Sequence, residues 1–290
     1  MKYHIPLTFF LVWPEGIWDT HYNYRDLPSK NFLINAYTLI EKNKLESIRR
    51  VRSKLGKLFV DSGGLVALKQ KNMEWFTPIN QEKYVKQTQC LTPDIICHLD
   101  VPIKTQLLSE NDVSKEWALD RTISNAEKML DIDLNNTRKC FAIQGWDDES
   151  YDFCIESYKE LGVFSGEHVV AIAVDRHTRP PKLYELYSTM IKKIKRIREN
   201  QDIHAFGIAQ PRWLHVLYGY GVTSADSSSP FLAGVLRGDL IVGDGSRRSL
   251  LLKPIPHGAM KALTALNYWV YYMRLYKHFQ QKKTVPKTYI

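Results

Sequence analysis

Three aspartates, one glutamine and the glycines beside them are the residues in this chain whose types and spacing suit chemistry. Asp61 closes the apolar run Leu58-Phe-Val60 and is followed by Ser62, Gly63 and Gly64. Asp100 ends His98-Leu-Asp100, Gln144 and Gly145 end Phe141-Ala-Ile-Gln-Gly145, and Asp226 ends Gly221-Val-Thr-Ser-Ala-Asp226. One carboxylate can attack an electrophilic carbon and hold a covalent intermediate. A second, with its pKa matched to the task, can give a proton to a leaving group and take one from its successor. Neighbouring glycines let the backbone approach a flat ligand. Asp226 could instead cap the turn that follows it, and Asp61 or Ser62 could instead hold an Asx-type turn.

Each of these polar residues ends or directly follows a short apolar run, so strands must position them. Strand-length runs are His4–Val12, Leu58–Val60, Asp94–Leu99, Lys139–Gln144, His168–Val174, Ile203–Ala209, Gly221–Ala225 and Asp239–Val242, eight in all. Amphipathic segments lie between them. The clearest places Leu183, Leu186, Tyr187, Met190, Ile191, Ile194 and Ile197 on one helical stripe. Strand and helix in alternation predict a parallel sheet, either an open doubly wound sheet or a closed barrel. In a barrel, reactive groups sit at the C-terminal ends of the strands. The segment Ser62–Pro93, with its aromatic stretch Met73-Glu-Trp-Phe-Thr-Pro78, reads as a long loop on the rim of a pocket. Met260–Phe279 reads as a helix packed on the barrel, and residues 280–290 as a basic, frayed tail.

The 290 residues fit one barrel domain spanning 1–290, with 44% hydrophobic residues to fill a core. A formal charge of +9 points to a polyanionic partner, because Lys and Arg release counterions when they meet phosphates. Cys90, Cys97, Cys140 and Cys154 lack C-x-x-C spacing and read as reduced thiols. The apolar stretch Leu7–Trp13 lacks the features of a signal peptide and is too short to span a bilayer, so the expectation is a cytoplasmic protein without membrane contact, in a bacterial or phage-infected cell.

At the four segments that carry Asp61, Asp100, Gln144 and Asp226, in that order, the chain resembles the tRNA-guanine transglycosylase superfamily. Within it, the DNA 7-deazaguanine transglycosylases are more similar than the tRNA enzymes. The likeness runs from about Leu58 to Pro230 and returns weakly in the C-terminal helix. It favours a (β/α)8 TIM barrel with inserted loops and a C-terminal helix. The family zinc subdomain is lacking, since no cysteine follows Cys154.

The resemblance implies Asp226 as nucleophile and Asp61 as general acid/base. Asp100 and Gln144 would read the base, with Ser62, Gly63, Gly64, Gly145 and Ala171 lining its pocket. A carboxylate at Asp100 can accept two parallel N–H bonds from a guanine-type edge, a fit that adenine cannot satisfy. Leu65, Trp75 and Trp146 are candidates to sandwich an extruded base. Arg176 and Arg179, after a strand, and Arg247 and Arg248, after the last strand-like run, are candidate phosphate contacts. His98, His177 and His204 sit near strand ends and read as structural residues.

The chain departs from the tRNA enzymes in three places. Val170-Ala-Ile-Ala-Val174 stands where they carry paired glycines, the zinc ligands are missing, and Ser227-Ser-Ser-Pro-Phe-Leu-Ala-Gly234 has no arginine. The first departure bears on pocket width and so on the 7-substituent; the missing zinc ligands and arginine favour DNA over tRNA as the polymer. The expected activity replaces guanine in DNA with a 7-deazaguanine such as preQ0, with no cofactor and no metal. The target nucleotide must leave the base stack, a step in which an accessory protein could serve as a further partner. Alternatives are base exchange in tRNA, an inactive DNA-binding barrel, and a hydrolase in which water resolves the intermediate.

Overall fold

The computed structural model describes residues 8–12, 27, 29–174, 182–208, 210–228, 233, 239–242, 246–249 and 257–280. Eight strands, β1 Thr8–Val12, β2 Phe32–Asn35, β3 Leu58–Asp61, β4 Ile95–Cys97, β5 Arg138–Ile143, β6 Val169–Ile172, β7 Asp202–Ala205 and β8 Ser224–Ser227, pair in that order. Every pair is parallel, and β8 returns to β1 with Thr8 opposite Ser224 and Phe10 opposite Asp226. The sheet is thus a closed (β/α)8 barrel.

Alternation along each strand sorts the side chains into two cores. Phe10, Leu33, Phe59, Ile95, Cys97, Cys140, Ala142, Val169 and Ala171 fill the interior. Their neighbours Phe9, Leu11, Phe32, Ile34, Leu58, Val60, Ile96, Phe141, Val170 and Ile172 face outward into the helical layer. Each fully buried aromatic or aliphatic side chain contributes roughly 1.5–3 kcal/mol relative to exposure. The interior parity continues upward: Phe59 is followed two residues later by Asp61, and Ser224 by Asp226. The polar groups therefore sit on top of an apolar plug.

The outer layer comprises α1 Ala36–Glu41, α2 Leu45–Val51, α3 Gly64–Lys69, α4 Pro78–Thr88, α5 Thr105–Glu110, α6 Lys115–Asp131, α7 Asp148–Glu160, α8 Lys182–Ile197 and α9 Pro211–Tyr220. Starts are capped where the chain must turn sharply. Ser114 accepts the Trp117 N–H, and Asp147 forms a capping box with Ser150 that follows Gln144 by only a few residues. A C-terminal helix, α10 His257–Gln280, packs on α9. Its aromatic face is a packing face, as expected. Tyr268 and Tyr271 are buried, Tyr271 stacks on Phe9 at 5.2 Å, and its hydroxyl donates to the Ile208 carbonyl at 3.0 Å.

Several expectations are corrected. Asp239–Ile241 is not a barrel strand: as β9 it pairs antiparallel with β10, Arg247–Ser249, in a separate two-stranded sheet. The missing barrel strand is β2, a run of only three apolar residues, Phe32-Leu-Ile34, that passes through the N-cap Asn35 directly into α1 with no loop between strand and helix. Ser62–Pro93 is not an open rim loop but the helical crossover of α3 and α4, with short 3-10 turns at Met73–Phe76 and Gln89–Leu91. Its Trp75 packs edge-on to Tyr37 at 5.0 Å and is buried, which removes it as a base-sandwiching residue. Finally, the strand read as Gly221–Ala225 lies later, at Ser224–Ser227, because Gly221 ends α9 in the left-handed conformation (φ 111°). Asp226 therefore lies within a strand rather than after one.

Among the described residues, no helix is long and apolar enough to cross a membrane. None of their His, Cys, Asp and Glu side chains groups in threes as metal ligands.

Candidate active site

Parallel strands put all their C-terminal ends at one mouth of the barrel, and Asp61, Asp100, Gln144 and Asp226 meet there. Asp61 is the last residue of β3, and its carboxylate accepts the Gly63 N–H at 3.2 Å. Asp100 lies three residues beyond β4 and is buried, with each oxygen engaged. Ser62 Oγ donates to Oδ1 at 2.7 Å, and Gln144 Nε2 donates to Oδ2. Gln144 Oε1 accepts the Ile103 N–H at 3.2 Å, so its amide pins the loop after β4 at two points. Gln144 thus holds Asp100 directly, a contact that sequence spacing does not reveal.

The carboxylates feel one another. Burial, then the charges of Asp100 and Asp226, push the Asp61 carboxyl up to about 8, against the weaker pull of the Gly63 and Ser62 N–H groups. Burial and these neighbours thus favour the protonated form of Asp61. Burial also raises the pKa of Asp100, opposed by its bonds from Ser62 and Gln144.

Asp226 is buried, and its Oδ1 accepts the Gly207 N–H at 2.9 Å and lies within hydrogen-bond distance of His204 Nε2, at 3.2 Å. His204 is fully buried in the interior, with Nδ1 against Ser224 Oγ at 2.9 Å. Its ring lies 4.8 Å from both Phe59 and Phe206 and 5.9 Å from Phe10. The structural reading of His204 thus missed a contact with the site. The alternation of His204 with Phe206, and of Ser224 with Asp226, was the signal that put them on a common face. His98, by contrast, is a structural residue as read. It faces the helical layer, with Nε2 3.1 Å from the Tyr158 hydroxyl of α7, and burial lowers its pKa to about 3.

A side chain at any of the three glycines Gly63, Gly64 and Gly145 would collide with the protein's own atoms. A Cβ on Gly64 would come within 2.4 Å of the Asp100 carbonyl oxygen, and one on Gly63 within 2.5 Å of Asn35 Oδ1. A Cβ on Gly145 would meet Tyr151 at 2.7 Å. Ala171 is buried in the interior, in register with His204 and Ala142. Leu65 is partly exposed, and Trp146 is half-buried with Lys115 Nζ 5.7 Å from its ring. Arg247 and Arg248 are exposed on β10, whose partner strand β9 is tied to α10 by Asn267, so they lie within a separate two-stranded sheet rather than after a barrel strand. Arg176, Arg179 and His177 lie outside the described residues.

The chain matches no protein-family model and no curated protein sequence. Its (β/α)8 fold and the polar cluster above the barrel core are consistent with a glycosyltransferase-type active site.

Proposed function

We propose that this chain is a base-exchange glycosyltransferase that replaces guanine in DNA with a 7-deazaguanine base of the preQ0 type. The observation that carries the reading is the gathering of Asp61, Asp100, Gln144 and Asp226 at one mouth of the barrel, where burial and the neighbouring Asp100 and Asp226 push the Asp61 carboxyl up to about 8. One acid and one nucleophile set at the same mouth are what two-step glycosyl transfer with retention requires.

In the first step Asp226 Oδ2 bonds to C1′ of the extruded nucleotide as the C1′–N9 bond breaks. The electron pair leaves with guanine, and the guanine takes the Asp61 proton. In the second step N9 of the incoming base attacks C1′ and loses its proton to the Asp61 carboxylate, and the ester to Asp226 breaks. Each step inverts C1′, so the configuration is retained. Asp100, whose two oxygens keep lone pairs beyond those used by Ser62 and Gln144, accepts the N1–H and exocyclic amine of the base.

DNA rather than tRNA is supported by the arginine-free stretch Ser227–Gly234 after Asp226. The test is incubation with guanine-containing DNA or unmodified tRNA plus preQ0, followed by nucleoside mass spectrometry of each polymer. The expected product is a 7-deazaguanine deoxynucleoside in DNA alone. Product in tRNA alone would overturn the choice of polymer, and Asp226→Asn with full exchange activity would overturn the mechanism.

A further inference from the structure

We propose that His204 is the positioning residue for Asp226. In this arrangement the Ser224 hydroxyl donates to Nδ1, and Nε2–H donates to Asp226 Oδ1. This deepens the transglycosylase reading and rests on it.

The geometry is asymmetric in a way that bears on chemistry. Both donors to Asp226, the His204 Nε2–H at 3.2 Å and the Gly207 N–H at 2.9 Å, meet the same oxygen, Oδ1. Among the described residues none donates to Oδ2. A carboxylate held by two donors on one oxygen cannot rotate freely, and it presents the other oxygen in one direction. Oδ2 is therefore the attacking atom. In the covalent intermediate Oδ1 becomes the ester carbonyl oxygen, and the same two donors stabilise the carboxylate that re-forms when the second base attacks.

The imidazole is itself oriented. Its ring is wedged among Phe10, Phe59 and Phe206, which fixes its plane. A buried imidazole with a hydroxyl on one nitrogen and a carboxylate on the other has two tautomers. Only the one protonated at Nε2 gives the carboxylate a donor; the other sets two acceptors against each other. The Asp226 carboxylate, which can only accept, selects the productive tautomer, and Ser224 completes it because its hydroxyl can donate to the bare Nδ1. Three residues on the interior faces of two adjacent strands thus form a chain, Ser224 to His204 to Asp226, beneath the reacting carbon.

Two measurements on the full chain test this. Long-range 1H–15N correlation of histidine-labelled protein, with the His204 signals assigned by their loss in His204→Gln, is expected to show the Nε2-protonated tautomer. An Nδ1-protonated ring would overturn the proposal whether or not a substrate is in hand. In the DNA exchange assay with preQ0, His204→Phe fills the ring's place without a donor. It is expected to lose about ten- to a hundredfold in kcat while KM for preQ0 changes by less than about threefold. His204→Gln, whose side-chain amide reaches the position of Nε2, should recover most of the rate, and Ser224→Ala should lose rate with the fold intact. A fully active His204→Phe beside an inactive Asp226→Asn overturns the positioning role alone. An active Asp226→Asn overturns the nucleophile reading and this role together.

Discussion

The Ser62 hydroxyl donates to Asp100 Oδ1 at 2.7 Å and accepts the Gly64 N–H at 3.1 Å, joining the turn after β3 to the loop after β4. One side chain thus couples the turn that carries the acid Asp61 to the residue proposed to read the base. It also supplies a donor that keeps the buried Asp100 carboxyl from rising further.

Removing that donor should act on base binding more than on chemistry. A hydrogen bond to a charged group contributes about 1.5–3 kcal/mol. Ser62→Ala is therefore expected to raise KM for the incoming base by about tenfold or more, with a smaller change in kcat. Steady-state kinetics with varied preQ0 measure both.

The state of Asp61 makes a prediction about stability. Its carboxyl titrates near 8 in the folded protein, against 3.8 for an aspartate exposed to water. Between those values the folded state holds a proton that the unfolded state has lost, so this residue lowers stability as pH rises from about 4 to about 8. Asp61→Asn mimics the protonated acid at every pH. The melting temperature of the variant should exceed that of the unaltered protein by a margin that grows across this window and levels off above it. A margin independent of pH would show that Asp61 is ionised throughout.

The same group sets the alkaline limit of the reaction. First-step base expulsion, followed in single-turnover experiments without added base, should decline as pH passes about 8, where Asp61 gives up its proton. Asp61→Asn should show almost no exchange at any pH. A rate that stays flat through this range would assign the proton to another group.

Two glycines should respond to alanine for different reasons. At Gly64 the added carbon would lie 2.4 Å from the Asp100 carbonyl oxygen and 3.0 Å from Pro102 Cδ. The first of these is a backbone atom that cannot swing aside, so Gly64→Ala should cost about 1–3 kcal/mol and disturb Asp100. At Gly207 no atom lies within 4 Å of the added carbon, but φ is +66°. Gly207→Ala should therefore cost only the left-handed penalty, about 1–2 kcal/mol. Chemical denaturation of the two variants compares these costs, and a Gly207→Ala loss larger than that of Gly64→Ala would rule out the distinction.

Much of this architecture is local and was open to reading from residue order. The run Leu58-Phe-Val60 ahead of Asp61, the stripe from Leu183 to Ile197 and the packing helix after Met260 all follow from alternation or from three-and-four spacing, which neighbours along the chain determine. The pairing that closes the barrel is not local. Phe32–Asn35 and Asp239–Ile241 are both short apolar runs, and only the register with β1 and β3 admits the first and excludes the second. The site divides the same way. Residue types marked Asp61, Asp100, Gln144 and Asp226 as chemically capable, because polar groups at the ends of apolar runs need a reason to be there. That the Asp61 carboxyl is pushed up, that Gln144 holds Asp100, and that His204 reaches Asp226 across 22 residues all arise from side chains brought together by folding. Burial and through-space charge depend on distances between strands, and residue order carries no direct measure of those distances.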